Sequence, residues 1–180
     1  MRLYSTDGKR LYLTASERER FSQALQTVPL EKRLFALCLL YTGCRISEAI
    51  ALRSENVHWN DGIIAIRSLK KRNKIHIREV PVPPHFVEQL RALNRGHRFW
   101  TVNRSSAWRW IKAIMDMAEI HGEQATAKGL RHSFGTSAAL NNIPITLAQK
   151  WMGHTDMKTT AIYWQIVGDE EREMANRMWR

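Results

Sequence analysis

The chain has 180 residues, of which 44% are hydrophobic and 25% are charged. These shares are typical of a globular domain, so they exclude collagen-like, mucin-like and low-complexity proteins. The 28 Lys and Arg residues outnumber the 17 Asp and Glu residues, which gives a formal net charge of +11. This excess of positive charge on an ordinary composition indicates a protein that binds a polyanion, and nucleic acid is the first candidate.

No stretch of the sequence reaches the roughly 18 to 20 apolar residues that a membrane-spanning helix needs. The longest apolar run, Leu34 to Tyr41, has the length of a core helix. The first 13 residues hold no apolar segment of signal-peptide length, so we expect a cytoplasmic protein with no membrane partner. Cys38 and Cys44 lie six residues apart, which fits neither a zinc ribbon nor a redox pair, and both are predicted to be core residues.

The N-terminal part of the chain has helical patterns. A capping-box pattern from Thr14 to Glu17 predicts a helix from about Ala15 to Thr27. Pro29 opens a second helix, which ends at Gly43, a residue suited to a left-handed C-terminal cap. The next helix is predicted to be short and apolar, from Ala49 to Leu52.

The middle of the chain predicts a small antiparallel sheet, because three segments are rich in β-branched residues. They are Val57 to Trp59, Ile63 to Leu69 and Ile75 to Val82. The residues Asn60-Asp61-Gly62 are a strong hairpin-turn signal between the first two strands. The tip of the second hairpin has four cations within residues 70–74, and Pro84 suits the first turn of a helix that runs to about Leu93.

Helical periodicity returns from Ser105 onward. The apolar stripes of two predicted helices are Trp108, Ile111, Met115 and Ala118, and then Leu130, Phe134 and Ala138. A short helix is expected to begin at Pro144 and to end at Gly153, and a last one begins near Asp156 and contains Tyr163.

Several catalytic patterns are missing from the sequence. It has no glycine-rich phosphate loop, no dinucleotide fingerprint, no H-E-x-x-H zinc helix and no glycine-flanked nucleophilic serine. Its acidic residues do not cluster as a two-metal nuclease would require, which argues against a metal-dependent nuclease. We therefore expect no metal and no other cofactor, and the candidates for chemistry are the cations and one tyrosine.

Three segments carry the main functional signal. They are Thr42 to Glu48 (TGCRISE), Lys128 to Phe134 (KGLRHSF), and Gly153-His154 followed nine residues after the histidine by Tyr163. These segments resemble the arginine, H-x-x-R-H and G-H…Y motifs of the tyrosine recombinase (phage integrase) family, in that family's order.

Two further segments extend this resemblance. Residues 68–71 and 78–81 are similar to the family's lysine hairpin and the strand that follows it. The resemblance covers the chain from about Leu13 to Ile166. It implies an α+β, mainly α-helical fold, that of a tyrosine recombinase catalytic domain, with a small antiparallel three-stranded sheet.

The chemistry of phosphodiester cleavage gives roles to the arginines and the tyrosine. Attack on the phosphate builds negative charge on its non-bridging oxygens, which a guanidinium stabilises with two parallel hydrogen bonds. Arg45 and Arg131 are the candidates, and the alternatives are a solvated helix-end cation and a surface ion pair. Glu48 either orients the Arg45 guanidinium or forms an ordinary surface pair with it. Tyr163 is the candidate nucleophile, and a core tyrosine is the alternative.

The resemblance implies roles for three more residues. Lys70 is the expected general acid for the leaving 5′ oxygen, with Lys71 as the alternative, and the hairpin tip is also expected to contact phosphates. His154 is expected to donate to a phosphate oxygen, the alternative being a histidine that stabilises a helix C-terminus. Lys128 stands where the family commonly has a histidine, so its help in positioning or deprotonating Tyr163 depends on a lowered pKa.

The expected organisation is an N-terminal arm over residues 1–13, a catalytic domain over 14–167 and a C-terminal tail over 168–180. Family members commonly have an additional helical domain before the catalytic one, whereas the short fimbrial-switch invertases are similar in size to this chain. A complete short recombinase and a truncated one both fit. The tail either docks onto a neighbouring protomer, as the family's C-terminal segment does, or is a frayed end. His132 is expected to be structural.

Together these features predict a site-specific DNA recombinase. By the resemblance, it cleaves and rejoins strands through a covalent 3′-phosphotyrosyl intermediate and needs neither a metal nor ATP. Its partners would be double-stranded DNA and further copies of the chain, as a dimer or tetramer on the DNA. The alternatives are a catalytically silent DNA-binding accessory protein of the same fold and a type IB-like DNA-relaxing enzyme.

Overall fold

The computed structural model describes residues 2–68, 76–93, 98–165 and 169–179. The helices in these ranges are α1 (Ala15–Ala24), α2 (Leu30–Thr42), α3 (Ile46–Ile50), α4 (Pro84–Leu93), α5 (Arg104–Met117), α6 (Ala127–Leu140), α7 (Ile145–Met152), α8 (Met157–Ala161) and α9 (Asp169–Asn176). The strands are β1 (Val57–His58), β2 (Ile63–Arg67) and β3 (Ile77–Pro81). The predicted mainly helical fold with a small three-stranded sheet is confirmed.

The first two helices begin and end as predicted. The Thr14 hydroxyl accepts a hydrogen bond from the Glu17 backbone N–H (3.2 Å), and the Glu17 carboxylate accepts one from the Thr14 N–H (2.8 Å). This capping box starts α1, and a 3₁₀ turn, Leu25–Thr27, continues it. Helix α2 ends at Gly43, which has a φ of 58°.

The short helix predicted from Ala49 to Leu52 instead begins at Ile46 and ends at Ile50. The reason is the Glu48 carboxylate, which accepts a hydrogen bond from the Arg45 backbone N–H (2.9 Å) and so stabilises the first turn. Arg45 is therefore the residue that caps α3, which fixes its backbone at the start of the helix.

The sheet is antiparallel and has the strand order β1-β2-β3. Ile64 of β2 lies between Val57 of β1 and Val80 of β3. The predicted outer ends of β2 and β3 lie outside the described residues, as does the predicted cationic tip over residues 70–74. Alternate residues of β3 are buried, and one of them is Arg78. An arginine thus lies on the buried face of the sheet.

Helix α5 begins at Arg104, one residue before the predicted start, because the Asn103 side chain accepts a hydrogen bond from the Ser106 N–H (2.8 Å). Ile111 of the predicted stripe is buried. Trp108 is 50% exposed, so the prediction that it belongs to the buried stripe is wrong. Ala107 occupies the buried position at that point of the helix instead.

The buried hydrophobic residues of the described chain form two clusters. The larger cluster joins α2 to the sheet and α5, and it contains Cys38 and Cys44 as free thiols, as predicted for core residues. The smaller cluster consists of Leu3, Tyr12, Leu140, Met152 and Tyr163. The candidate nucleophile therefore lies where the N-terminal arm meets the ends of α6 and α7. Within the described ranges, no helix has both the length and the apolar character that crossing a membrane requires.

The C-terminal segment packs against its own chain. Helix α9 is followed by a 3₁₀ turn, Arg177–Trp179. The Arg177 guanidinium donates a hydrogen bond to the Leu140 carbonyl at the end of α6, and Met174 packs against the smaller cluster. Trp179 is 74% exposed. Docking of this tail onto a second protomer stays a prediction.

Candidate active site

Arg131 lies in α6 and is almost completely buried. One of its terminal nitrogens donates to the Gly43 carbonyl at the end of α2 (2.6 Å), and the other donates to the Met152 carbonyl at the end of α7 (2.8 Å). Carbonyl groups at helix ends lack partners within their own helices, so a planar guanidinium can join two helix ends. Burial is the main cause that lowers the pKa of Arg131 to about 10, which still leaves it charged at neutral pH. The alternative of a surface ion pair is wrong.

His154 follows Gly153 and contacts Arg131 directly. Its Nε2 lies 2.9 Å from an Arg131 terminal nitrogen, and its Nδ1 lies 2.9 Å from the Thr160 hydroxyl oxygen. Because a guanidinium only donates, Nε2 accepts this hydrogen bond and the proton of the neutral ring lies on Nδ1. Burial and then the charges of Arg131 and Arg45 lower the pKa of His154 to about 3. The imidazole is therefore neutral at neutral pH.

Arg45 lies at the start of α3 and is held by Glu48. The Arg45 guanidinium donates to Glu48 Oε1 at 2.9 Å, and its side chain is 27% exposed. Burial alone would raise the pKa of Glu48, but the hydrogen bond and charge of Arg78, together with Arg45, lower it. Glu48 is buried, so the alternative of an ordinary surface pair is wrong. The buried carboxylate holds the partly exposed guanidinium in one orientation.

Tyr163 lies in a 3₁₀ turn, Ile162–Trp164, directly after α8. Its ring stacks on the His154 ring with a centroid distance of 6.2 Å and an angle of 9°. The ring also packs against Gly135 of α6, where a Cβ atom would lie only 2.6 Å from it. Burial raises the pKa of Tyr163 to about 12, although the charges of Arg131 and Arg45 act in the opposite direction. Tyr163 is thus both a buried tyrosine and a neighbour of His154, and it lies within range of the charges of Arg131 and Arg45.

His132 contacts the candidate nucleophile. Its Nδ1 lies 3.3 Å from the Tyr163 hydroxyl oxygen, and the ring is fully buried. Burial is the main cause that lowers the pKa of His132 to about 4, and the charges of Lys128 and Arg131 contribute. The imidazole is therefore neutral at neutral pH. The contact therefore holds the tyrosine hydroxyl in place, which agrees with the structural role predicted for His132.

Of the two lysines of the predicted site, one lies in the described part of the chain, in α6. Lys128 is exposed in the first turn of α6 and lines a cleft of about 540 Å³ together with Arg104 and Trp108. Lys70 and its alternative Lys71 lie outside the described residues. The residues that the structure brings together are Arg45, Arg131, His154 and Tyr163.

Arg78 also belongs to this region, and its burial was not predicted. Its guanidinium donates to Glu48 Oε2 (2.6 Å) and to the Trp151 carbonyl (2.7 Å). The sequence offers one signal for it. Strand alternation places Arg78 on the same face as Val80, and an arginine on the apolar face of a strand needs a buried partner.

The described side chains offer no cluster of metal ligands at this site. Among them, no group of three or more His, Cys, Asp or Glu residues could hold a metal ion. The cationic groups of the site are instead the guanidiniums of Arg45, Arg78 and Arg131.

Comparison with known proteins gives a family and a fold. The sequence matches the phage integrase family over residues 11–168. The tyrosine recombinase XerA of Thermococcus kodakarensis is 26% identical over 175 residues, which cover 89% of this chain and 60% of XerA. A crystal structure of XerA recombinase has a TM-score of 0.80 at 26% identity and covers 93% of this chain and 64% of its own.

A second solved structure is similar in fold. It is the XerH site-specific recombinase bound to difH substrate in a pre-cleavage complex, with a TM-score of 0.74 at 19% identity. The alignment covers 98% of this chain and 60% of XerH. The chain spans about three fifths of the length of the XerA relative.

The family match covers most of the chain and includes α3, α6, α8 and the turn that carries Tyr163. The fold agrees with that of a solved tyrosine recombinase. The chain therefore belongs to the phage integrase family and has the fold of the tyrosine recombinases.

Proposed function

We propose that the protein is a site-specific DNA recombinase that cleaves and rejoins strands through a covalent 3′-phosphotyrosyl intermediate. One observation carries this proposal. The Tyr163 ring stacks on His154, whose Nε2 accepts a hydrogen bond from Arg131, so a nucleophile, an imidazole and a guanidinium from three chain segments meet at one point. The names of the relatives, tyrosine recombinase and site-specific recombinase, support the same function.

In the proposed cleavage step, the Tyr163 oxygen attacks the scissile phosphorus. A bond forms between this oxygen and phosphorus, and the bond from phosphorus to the 5′ oxygen breaks. The leaving 5′ oxygen takes a proton from the general acid, for which Lys70 is the candidate. The phenolic proton passes to a base, for which Lys128 is the sequence-based candidate. Rejoining reverses these steps with a 5′ hydroxyl group of another strand.

Arg45 and Arg131 would stabilise the negative charge that builds on the non-bridging oxygens. Both arginines already lie close enough to Tyr163 for their charges to lower its pKa, against the effect of burial. Their fixed positive charge supplies the stabilisation that a divalent ion supplies in other phosphoryl-transfer enzymes. A donor role for His154 needs a proton on Nε2, and a phosphate beside the ring would raise the pKa that the guanidiniums now lower.

Two cation-lined clefts beside Arg45 support DNA as the substrate. Ile46 lines the cleft of about 540 Å³, which contains the cations Arg2, Arg104 and Lys128 and one carboxylate, Glu123. Ser47, the next residue, lines a cleft of about 380 Å³, which contains the cations Arg53, Arg67 and Arg98 and one carboxylate, Glu55. Within the described ranges, none of these six side chains forms an ion pair, so the fold leaves their charges available for phosphates.

Loss of two cations from the second cleft is expected to weaken DNA binding in a salt-dependent way. In the double variant R53Q/R98Q, a plot of log affinity against log salt concentration should become less steep by about 0.9 for each lost phosphate contact. Titration of labelled duplex DNA at several salt concentrations measures this slope. The control is Arg20→Gln, which removes an exposed arginine that binds the Ala118 carbonyl outside both clefts. Equal slopes for the parent and the double variant would exclude this cleft from the DNA interface.

A two-site assay tests the proposed function. A supercoiled plasmid that carries two copies of the DNA flanking the chain's gene is incubated with the protein, without and with EDTA, because no proposed step uses a metal. Amplification across the new junctions should detect exchanged flanks. Relaxation without exchange would identify a relaxing enzyme, and binding without either product would identify a silent accessory protein. Loss of exchange on adding EDTA would contradict the metal-independent mechanism.

The remaining parts of the proposal concern organisation. Residues 14–167 would form the catalytic unit, within the region that matches the family. Recombination joins two DNA sites, so we propose that copies of the chain assemble on DNA as a dimer or tetramer, with the C-terminal tail as the segment that docks onto a neighbour. Because its substrate would be chromosomal or plasmid DNA, the protein is expected to act in the cytoplasm.

A further inference from the structure

Arg78 has a buried guanidinium that contacts two helices of the candidate site, α3 and α7. Its side chain and that of Glu48 are each only 1% exposed, and they form an ion pair at 2.6 Å. Its Nε donates to the Trp151 carbonyl at 2.7 Å, three residues before His154. We propose that Arg78 is a positioning residue that holds Arg45 through Glu48 and His154 through the end of α7. This inference rests on the proposed function.

The first link runs from Arg78 to Arg45. Glu48 divides its two carboxylate oxygens, because Oε1 accepts from the Arg45 guanidinium while Oε2 accepts from Arg78 and from the Arg45 backbone N–H. A carboxylate with both oxygens engaged cannot rotate without breaking one of these bonds. Arg78 thereby fixes the plane of Glu48, and Glu48 fixes the orientation of the only partly exposed member of the three, Arg45.

The second link runs from Arg78 to His154. Gly153 ends α7 with a φ of 65°, a conformation that glycine adopts without strain. A Cβ atom at Gly153 would lie 3.0 Å from Arg78 Cδ and 3.1 Å from its Nη1. The turn that presents His154 is therefore packed directly on the Arg78 side chain, in addition to the hydrogen bond from Arg78 to Trp151.

An arginine suits this position better than any other residue. Its fork reaches a carboxylate on α3 and a carbonyl on α7 at the same time, whereas an ammonium group is a point charge on a flexible stem. The ion pair is an expensive way to stabilise a core, because burying two charges costs about as much as their attraction returns. The stability of the fold therefore does not by itself explain the buried pair of Arg78 and Glu48, whereas a role in orienting Arg45 does.

The first test measures the position of Arg45 without DNA. The ¹⁵N relaxation of the Arg45 Nε–H group reports its motion on the picosecond to nanosecond timescale. Arg78→Met is expected to lower the order parameter of this group. Arg78→Lys, which keeps the charge beside Glu48, gives a second variant if Arg78→Met does not fold. The control is Arg20→Met, which removes another arginine that ties two helices together through backbone carbonyls. An unchanged order parameter in a folded Arg78 variant overturns the proposal.

The second test measures covalent capture on three forms of one DNA substrate. An ordinary phosphodiester is compared with a 5′-bridging phosphorothiolate, whose thiol leaves without a proton, and with a methylphosphonate, which lacks the charge of a non-bridging oxygen. For Arg78→Lys we expect capture to be about 10- to 100-fold slower on the first two substrates, because the phosphate-binding groups are misplaced. The defect should shrink on the methylphosphonate, since less charge needs stabilising there.

Each outcome of the capture test has one interpretation. Rescue by the phosphorothiolate would mean that Arg78 acts on the leaving group, and equal defects on all three substrates would mean a purely structural role, so either result overturns the proposal. If the parent protein captures no DNA at all, the proposed function fails. The relaxation measurement still decides the role of Arg78 in that case.

Discussion

Replacing Tyr163 with phenylalanine is expected to abolish covalent capture of DNA and to leave DNA binding intact. The variant loses the only atom that can form the bond to phosphorus in the proposed mechanism, while its ring still stacks on His154 and packs against Gly135. The hydroxyl contact with His132 is also lost, which is expected to lower the free energy of unfolding by about 1 kcal/mol. A nicked duplex that releases a short strand after cleavage traps the intermediate, and a denaturing gel measures it.

Tyr12 provides the matched control for this experiment. It is a buried tyrosine in the same hydrophobic cluster as Tyr163, and its hydroxyl lies 3.3 Å from that of Tyr4. Tyr12→Phe should therefore show a similar small loss of stability with covalent capture retained. A covalent adduct formed by Tyr163→Phe would assign the chemistry to another residue and would reject the proposed nucleophile.

Replacing Arg131 with lysine is expected to lower the rate of covalent capture by about 10²- to 10³-fold, as for the loss of a donor that stabilises transition-state charge. Lysine keeps the charge, but a single ammonium group cannot reach the Gly43 carbonyl, the Met152 carbonyl and His154 Nε2 in the arrangement that Arg131 does. A lower melting temperature is expected as well, because buried carbonyl groups lose their donors.

The measurement is the single-turnover rate of capture at a temperature where circular dichroism shows the variant to be folded. Arg18→Lys is the control, since Arg18 also donates to a carbonyl of α6, that of Ser133, from outside the group of Arg45, Arg131, His154 and Tyr163. A capture rate for Arg131→Lys within a few-fold of the parent would mean that the fork geometry of Arg131 is not used in the reaction.

Much of the fold could be predicted because its signals are local. The capping box at Thr14, the glycine at position 43 and the β-branched strands each act through neighbouring residues. The start of α3 was misplaced because the relevant cap is the Glu48 side chain reaching back to Arg45. Trp108 was predicted to be buried because helical periodicity gives a stripe but does not say where its edge lies.

The site was predictable where a motif marks it and unpredictable where long-range contacts make it. Arg45, Arg131, His154 and Tyr163 stand in recognisable motifs, and the structure brings them together. The buried Arg78 side chain contacts Glu48, which is 30 positions away in the sequence, and Trp151, which is 73 positions away. No local pattern therefore reveals these partners. The 3.3 Å contact of His132 with Tyr163 likewise depends on how the turn after α8 packs against α6.

The packing of Tyr163 has a consequence for how the protein can be modified. Leu3 near one end of the described chain and Met174 near the other both support the small cluster that encloses the tyrosine ring. An affinity tag, a fusion partner or a domain joined near Leu3 or Met174 would therefore adjoin the cluster that contains Tyr163. We expect such additions, although neutral in most proteins, to alter the packing around the candidate nucleophile here.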